Sequence, residues 1–345
     1  MKNIRGALAI STLMLGIASL LLAGCLVGDV ERADILIPKS PPVSDLMDLP
    51  YGPSVGCSTG RSHELCGGSQ TLDVYKSSSQ SKGTIIWIHG GGFTRGDKAA
   101  FESAAPVLAQ IRRGWSVVAV NYRLLYAPGE PSAPEAELAS TGSESVQPHA
   151  LKGFEPLVSD PVKVPFPAAL QDVAAAMKWV SSNGGSLGLN TQNVVVAGHS
   201  AGGTLAALVG LGWNSSDPVF ANVPRPDGWI SFSSWLDFDF PGSWQLADLL
   251  SGDSTADPRL ISPLRQLDPE DPFGYVAHGD RDTVIDVHHA RAAEWIYSMG
   301  HMVNRVWVDI VDVDSAGRSL SADARWHSSG DGVNMGEFEG FLDSL

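Results

Sequence analysis

The sequence is poor in cysteine, in basic residues and in long apolar runs. Only three cysteines occur in 345 residues. That excludes a disulfide-dense miniature scaffold, and the length suffices to bury a core without such staples. No Cys-x-x-Cys or accompanying histidine pair suggests a metal site. Lys and Arg number 23 against 38 Asp and Glu, a formal charge of −15. With no basic face to neutralise phosphates, nucleic-acid binding is excluded. Glycine (37) and proline (22) are near average usage, which excludes collagen-like and low-complexity chains. Hydrophobic residues reach 43%, too many for a disordered chain. Beyond the first two dozen residues no apolar run is long enough to span a bilayer. What is left is an acidic globular protein.

The N-terminus reads as an address. Lys2 and Arg5 form a short positive region, and Ala7 to Leu22 carries no charge. This is the pattern of an export signal. It ends in Leu22-Ala23-Gly24-Cys25, which resembles a bacterial lipobox. The resemblance implies cleavage before Cys25 and a diacylglycerol on its thiol. The expectation is a signal peptide over 1–24 and a lipid anchor at Cys25. The site is then the cell envelope, with Leu26 favouring an outer membrane or cell surface. Cleavage removes two bases and no acids, so the charge moves to −17. In an oxidising compartment Cys57 and Cys66 are expected to pair across a short Gly/Ser loop.

Residues 26–56 are rich in Pro, Asp and Ser and show little periodicity, so 25–70 reads as a tether and irregular entry. From Thr71 the pattern changes. Short apolar runs recur at Thr84–Ile88, Ser116–Asn121, Asn193–Ala197, Trp229–Phe232, Phe273–His278 and Arg305–Val311. Such runs suit strands buried on both faces of a parallel sheet. Helical spacing connects them at Phe166–Ser182, Ser200–Gly210, His288–Met299 and Asn334–Leu345. Alternation of this kind predicts a doubly wound, mostly parallel α/β sheet over 71–345. Leu125–Pro165 interrupts it with seven prolines and six acids. That insertion is read either as a mobile lid or as a surface loop. A second irregular stretch, Asn214–Asp271, contains Trp229, Trp235 and Trp244, which are open to reading as a cap over a pocket or as core packing.

Two glycine motifs carry chemistry. Gly198-His199-Ser200-Ala201-Gly202 follows a Val-rich run and precedes an apolar helix. A strand–turn–helix of this form is the setting of a nucleophile elbow, in which a serine projects from a sharp turn. Its hydroxyl needs a base to become nucleophilic. His89-Gly90-Gly91-Gly92-Phe93 follows another strand-like run, and its glycines allow backbone N–H groups to face a developing oxyanion. His89 itself reads as a structural hydrogen-bonder.

With Leu72-Asp73-Val74-Tyr75, Asn121-Tyr122-Arg123-Leu124, Phe166 to Val173, Ser262-Pro263 and His278-Gly279-Asp280-Arg281-Asp282, these motifs resemble the α/β-hydrolase superfamily. The resemblance is to its bacterial hormone-sensitive-lipase-like and feruloyl-esterase-like branch, and it covers most of 71–345. It implies an α/β-hydrolase fold with a cap or insertion region. It also implies a Ser200 nucleophile and oxyanion donors from the Gly91, Gly92 and Ala201 N–H groups. The acid of this family lies in a His-Gly-x-x-Asp segment, here Asp282, with Asp280 and Asp286 as neighbouring alternatives. The base must follow the acid, which admits His288, His289, His301 and His327. The resemblance places it at His327, after the last strand.

The implied activity is hydrolysis of a small carboxylic ester, short-chain or aromatic, with no cofactor. A peptidase or amidase on the same triad, or an inactive surface binding protein, are the other readings. Asp312, Asp314, Gly317 and Asp323 partly imitate a calcium loop, but Ala316 stands where a ligand is needed. No metal is expected there, nor at Asp286, His288 and His289, which lack a ligand spacing.

Overall fold

The computed structural model describes residues 45–52, 70–77, 80–99, 105–124, 167–212, 220–240, 261–299, 306–311 and 333–345. Cys25, Cys57, Cys66, the 125–165 insertion, Trp244, His301, the Asp312–Asp323 segment and His327 lie outside the described residues.

The strands are β1 (Leu46–Pro50), β2 (Thr71–Tyr75), β3 (Gly83–Ile88), β4 (Trp115–Val120), β5 (Val194–His199), β6 (Gly228–Phe232), β7 (Phe273–Gly279) and β8 (Val306–Val311). The helices are α1 (Ala105–Arg112), α2 (Ala168–Asn183), α3 (Ala201–Gly212), α4 (His288–Met299) and α5 (Met335–Asp343). The strands form one sheet in the order β1-β2-β4-β3-β5-β6-β7-β8. β1 and β2 are antiparallel additions, and all pairs from β4 to β8 are parallel.

The central strands are apolar throughout because both faces are covered, and their side chains divide by twos. Ile86, Ile88, Val118, Val120 and Val196 pack on one face with residues of α2, α3 and α4. Ile85, Trp87, Val117, Ala119, Val195 and Ala197 pack on the other with α1 and α5. α5 is fastened there by Phe338, which meets Phe232 and Tyr275 at ring distances of 5.9 and 5.2 Å. Trp229 is fully buried within β6 and belongs to the core.

β1, β2 and α1 are absent from the strands and helices read in the sequence, and β1 contradicts that reading. β1 falls inside the segment read as tether, and it pairs with β2 at Leu46, Leu49 and Pro50. Its five residues are mostly exposed, and Asp48 has φ +53, which breaks the register. A short, bulged edge strand buries too little to print an alternating pattern.

Strand order also positions the site. The chain leaves β3 for β4 on one side and returns to β5 on the other. At such a reversal the loops after the two strands diverge and leave a crevice at their carboxyl ends. The His89 loop follows β3 and the Ser200 turn follows β5.

Candidate active site

Ser200 stands between the last residue of β5 and the first of α3. Its φ is +55, a left-handed conformation rare for a non-glycine residue. The turn is held from outside: Ser200 N–H donates to the Phe232 carbonyl at 2.8 Å. Gly202 is needed for close approach, since a Cβ there would lie 2.2 Å from the Ile88 carbonyl oxygen and 2.4 Å from that of His89. The elbow thus rests directly on the end of β3.

The glycine loop after β3 lies against Ser200. A Cβ on Gly90 would come within 3.0 Å of Ser200 Cβ. Gly91, Gly92 and Phe93 then take consecutive φ values of +120, +61 and +64. The Gly91 carbonyl closes the turn by accepting from Thr94 and Arg95 N–H, both at 3.1 Å. A side chain at Gly91 would collide with the Arg95 carbonyl at 2.1 Å. His89 plays the structural part expected of it. It is buried, its Nδ1 lies 2.7 Å from the Gly90 carbonyl, and its ring stacks on Tyr122 at 4.4 Å. Burial pushes its pKa below the ordinary imidazole value, so the ring is neutral and Nδ1–H is the donor.

The late turn after β7 separates the three candidate acids. Asp282 has a fully buried side chain. Its Oδ1 accepts from Val284 and Ile285 N–H at 2.8 and 3.0 Å, and its Oδ2 lies 3.4 Å from His278 Nε2. Asp280 is partly exposed and faces Arg281, 3.7 Å away. Asp286 is exposed and pairs with exposed His288 at 2.5 Å. Only Asp282, of these three, has a buried, directed carboxylate. Because β3, β5 and β7 are parallel, the Gly90 loop, Ser200 and Asp282 all stand at one end of the sheet.

The described histidines downstream of the acid sit elsewhere in character. His288 is held at the surface, where the Asp286 carboxylate accepts from its backbone N–H and meets its ring Nδ1. His289 is buried on α4, and Asp237 N–H donates to its Nδ1 at 3.4 Å. Burial, reinforced by the nearby His278 ring, lowers its pKa to about 4. It is a packed, neutral ring.

Several functional-looking residues escape the sequence reading. His278 was visible only as a motif letter, yet it contacts the buried acid. Lys98, Asp73 and Asp172 are buried charges whose side chains find partners far away in sequence. Asp172 takes Arg123 Nη2 at 2.8 Å and Gln70 Nε2 at 2.8 Å. Among the described residues no cluster of three metal-ligating side chains occurs, and no helix is long and apolar enough to cross a membrane.

Comparison with known proteins agrees with this geometry. A family model described as the alpha/beta hydrolase fold matches residues 161–303, and a second, BD-FAE, matches residues 72–135. Taken with the sheet order and the elbow, they show that the chain has the α/β-hydrolase fold. It is 32% identical over 151 residues to Lipase 2 of a Moraxella species, covering 41% of this chain and 26% of that protein. It is 25% identical over 244 residues to the esterase LipC of Mycobacterium tuberculosis, covering 65% of this chain and 51% of that one. The chain thus spans between a quarter and about half the length of these curated relatives. Among solved structures, esterase B from Lactobacillus rhamnosis superposes with a TM-score of 0.59 at 17% identity, covering 96% of this chain and 93% of that one. A truncated carbohydrate esterase from gut microbiota gives the same TM-score at 17% identity, covering 88% and 98%. These last two likenesses concern the fold.

Proposed function

We propose that the chain is a serine carboxylesterase acting on short-chain or aromatic carboxylic esters. One observation carries the reading. Ser200 is held at φ +55 with the Gly90 loop packed against its Cβ. A serine held in a left-handed turn beside a glycine-rich loop is what acyl transfer needs: a nucleophilic oxygen with N–H donors close to the oxyanion it creates. The names of the curated relatives, lipase and esterase, point the same way.

In the proposed reaction Ser200 Oγ attacks the ester carbonyl carbon while His327 takes its proton. Gly91, Gly92 and Ala201 N–H groups donate to the tetrahedral oxyanion. Collapse breaks the bond to the alcohol oxygen, which His327 protonates. Water, activated by the same imidazole, then attacks the acyl-enzyme and releases the acid and Ser200. Asp282 orients the imidazole and stabilises its charged form. No step uses a cofactor. His327 is the position at which the family resemblance places the base; order after Asp282 alone admits His288, His289, His301 and His327. For the export address we propose a diacylglycerol on Cys25, a Cys57–Cys66 bridge and retention at the cell envelope.

The test is hydrolysis of p-nitrophenyl butyrate by wild type and Ser200→Ala, with labelling of Ser200 by a fluorophosphonate. The variant should lose roughly 10⁴-fold or more in kcat. Unchanged turnover in the variant, or faster cleavage of the matching amide than of the ester, rejects the reading. Incorporation of labelled fatty acid in cells, lost in Cys25→Ser, tests the anchor separately.

A further inference from the structure

The loop that begins at His89 ends in a buried ion cluster. Lys98 is 5% exposed, and lysine is almost never that buried without partners. Its Nζ lies 2.7 Å from Asp48 Oδ1 on β1 and 3.2 Å from Asp73 Oδ1 on β2. Asp48 N–H also donates to Asp73 Oδ1, at 2.8 Å. The left-handed turn at Asp48 therefore gives the cluster both a backbone donor and a carboxylate. Residues of the loop's own end join from the other side. Lys98 N–H donates to Asn121 Oδ1 at 2.5 Å, and Asn121 Nδ2 donates to Asp97 Oδ2 at 2.8 Å. One cation thus ties the far end of the loop to β1 and β2, while the loop's near end leaves β3.

We infer that Lys98 is a positioning residue: its buried ion pair with Asp73 holds the His89–Lys98 loop at the height where Gly91 and Gly92 N–H meet the oxyanion. The inference rests on the esterase reading of Ser200. The physical argument concerns rigidity rather than stability. An apolar side chain would hold the loop at least as strongly, since a buried ion pair gains little net free energy over a hydrophobic one. An ion pair differs in what it forbids. If Lys98 Nζ shifts, Asp73, whose side chain is 1% exposed, is left charged and unpaired. Sliding of the loop is thereby disfavoured. Oxyanion donors demand such fixity, because a displacement of about half an ångström already spoils their geometry. Charge is retained throughout. Burial works to lower the Lys98 pKa, but Asp48, Asp73 and Asp97 outweigh it and raise the value above the ordinary one. The two carboxylates differ in role. Asp73 is the dry partner and Asp48, with a side chain 69% exposed, the wet one.

The test compares full-length wild type with Lys98→Arg, Asp48→Asn and the neutral double variant Lys98→Met/Asp73→Asn. The double variant removes both buried charges together and so avoids the misfolding that a lone buried carboxylate invites. Thermal melting establishes that it folds. Its kcat on p-nitrophenyl butyrate should fall by about 10- to 100-fold, approaching the loss from one oxyanion donor, with KM changed little. Lys98→Arg should recover much of that kcat, and Asp48→Asn should cost only a few-fold. Hydrogen exchange of the Thr94 and Arg95 amides, which donate to the Gly91 carbonyl, should accelerate in the double variant. A folded double variant with wild-type kcat, or with unaltered Thr94 and Arg95 exchange, overturns the inference. Wild type lacking Ser200-dependent turnover would instead overturn the esterase reading, and the exchange measurement would still decide whether Lys98 anchors the loop.

Discussion

His278 Nε2 lies 2.9 Å from the Ile285 carbonyl and 3.4 Å from Asp282 Oδ2, with both side chains fully buried. Both facing atoms are acceptors, so Nε2 carries a hydrogen. Asp282 Oδ1 is meanwhile occupied by two backbone N–H groups. The turn's two N–H groups hold the carboxylate, and the His278 N–H holds the Ile285 carbonyl of that same turn. Leaving a buried carbonyl such as that of Ile285 without its donor costs about 1–3 kcal/mol, and the turn that donates to Asp282 loosens with it. If Asp282 orients the catalytic base, His278→Leu should lower kcat/KM by roughly 10- to 100-fold. His278→Gln, which can present an N–H near the same point, should lose less. Equal losses in the two variants at equal melting temperature would show that the Nε2–H does not act on Asp282.

Ser200 stores strain that can be weighed. A left-handed conformation costs an L-residue about 1–2 kcal/mol, and glycine escapes this cost. Glycine has its own penalty, since its unfolded chain is freer by about 0.5–1 kcal/mol relative to alanine. The difference leaves Ser200→Gly more stable than Ser200→Ala by up to about 1.5 kcal/mol. Both variants lack the hydroxyl, so neither turns over ester and the comparison isolates the backbone. Urea denaturation of the pair, with matched slopes, measures it. If Ser200→Gly unfolds at the same or lower urea, the turn is not strained in solution.

Legibility in the sequence follows from where a residue's partners lie. The parallel strands were readable because burial on both faces makes each a continuous apolar run, as in Gly83–Ile88 and Trp115–Val120. The elbow is readable because its pattern is local, with Gly198 and Gly202 flanking the serine, although the contact that demands Gly202 is with the distant end of β3. Asp282 was one of three candidates in a seven-residue stretch, and burial separates it from Asp280 and Asp286 only once the turn is folded. β1 was hidden because a bulged edge strand needs no alternation. The Lys98 cluster was hidden for a different reason. Its partners lie 50 residues away at Asp48 and on β2 at Asp73, and a Lys after Gly96-Asp97 looks like any solvated loop cation. His278 likewise looked like one more residue of a buried strand until its ring was placed beside the acid.

His289 makes a prediction about pH that does not depend on catalysis. The ring is buried on α4, faces His278, Asp237, Asp286 and His288, and has its pKa lowered to about 4, first by burial and then by His278. In the unfolded chain an imidazole takes its proton near pH 6.5. Between these two values the unfolded state binds a proton that the folded state refuses, so stability falls as pH drops. The folded form is fully favoured above about pH 6.5 and loses that advantage progressively down to about pH 4, where the slope from this residue ends. At 1.36 kcal/mol per pH unit the whole effect is roughly 3 kcal/mol. His289→Gln keeps an acceptor for Asp237 N–H and cannot titrate. Unfolding free energies of wild type and His289→Gln, measured from pH 7.5 to 4, cancel the contribution of carboxylates common to both. The wild type should lose ground to the variant across that window and only there. A constant difference between the two proteins would mean that His289 protonates in the folded state as readily as in the unfolded one.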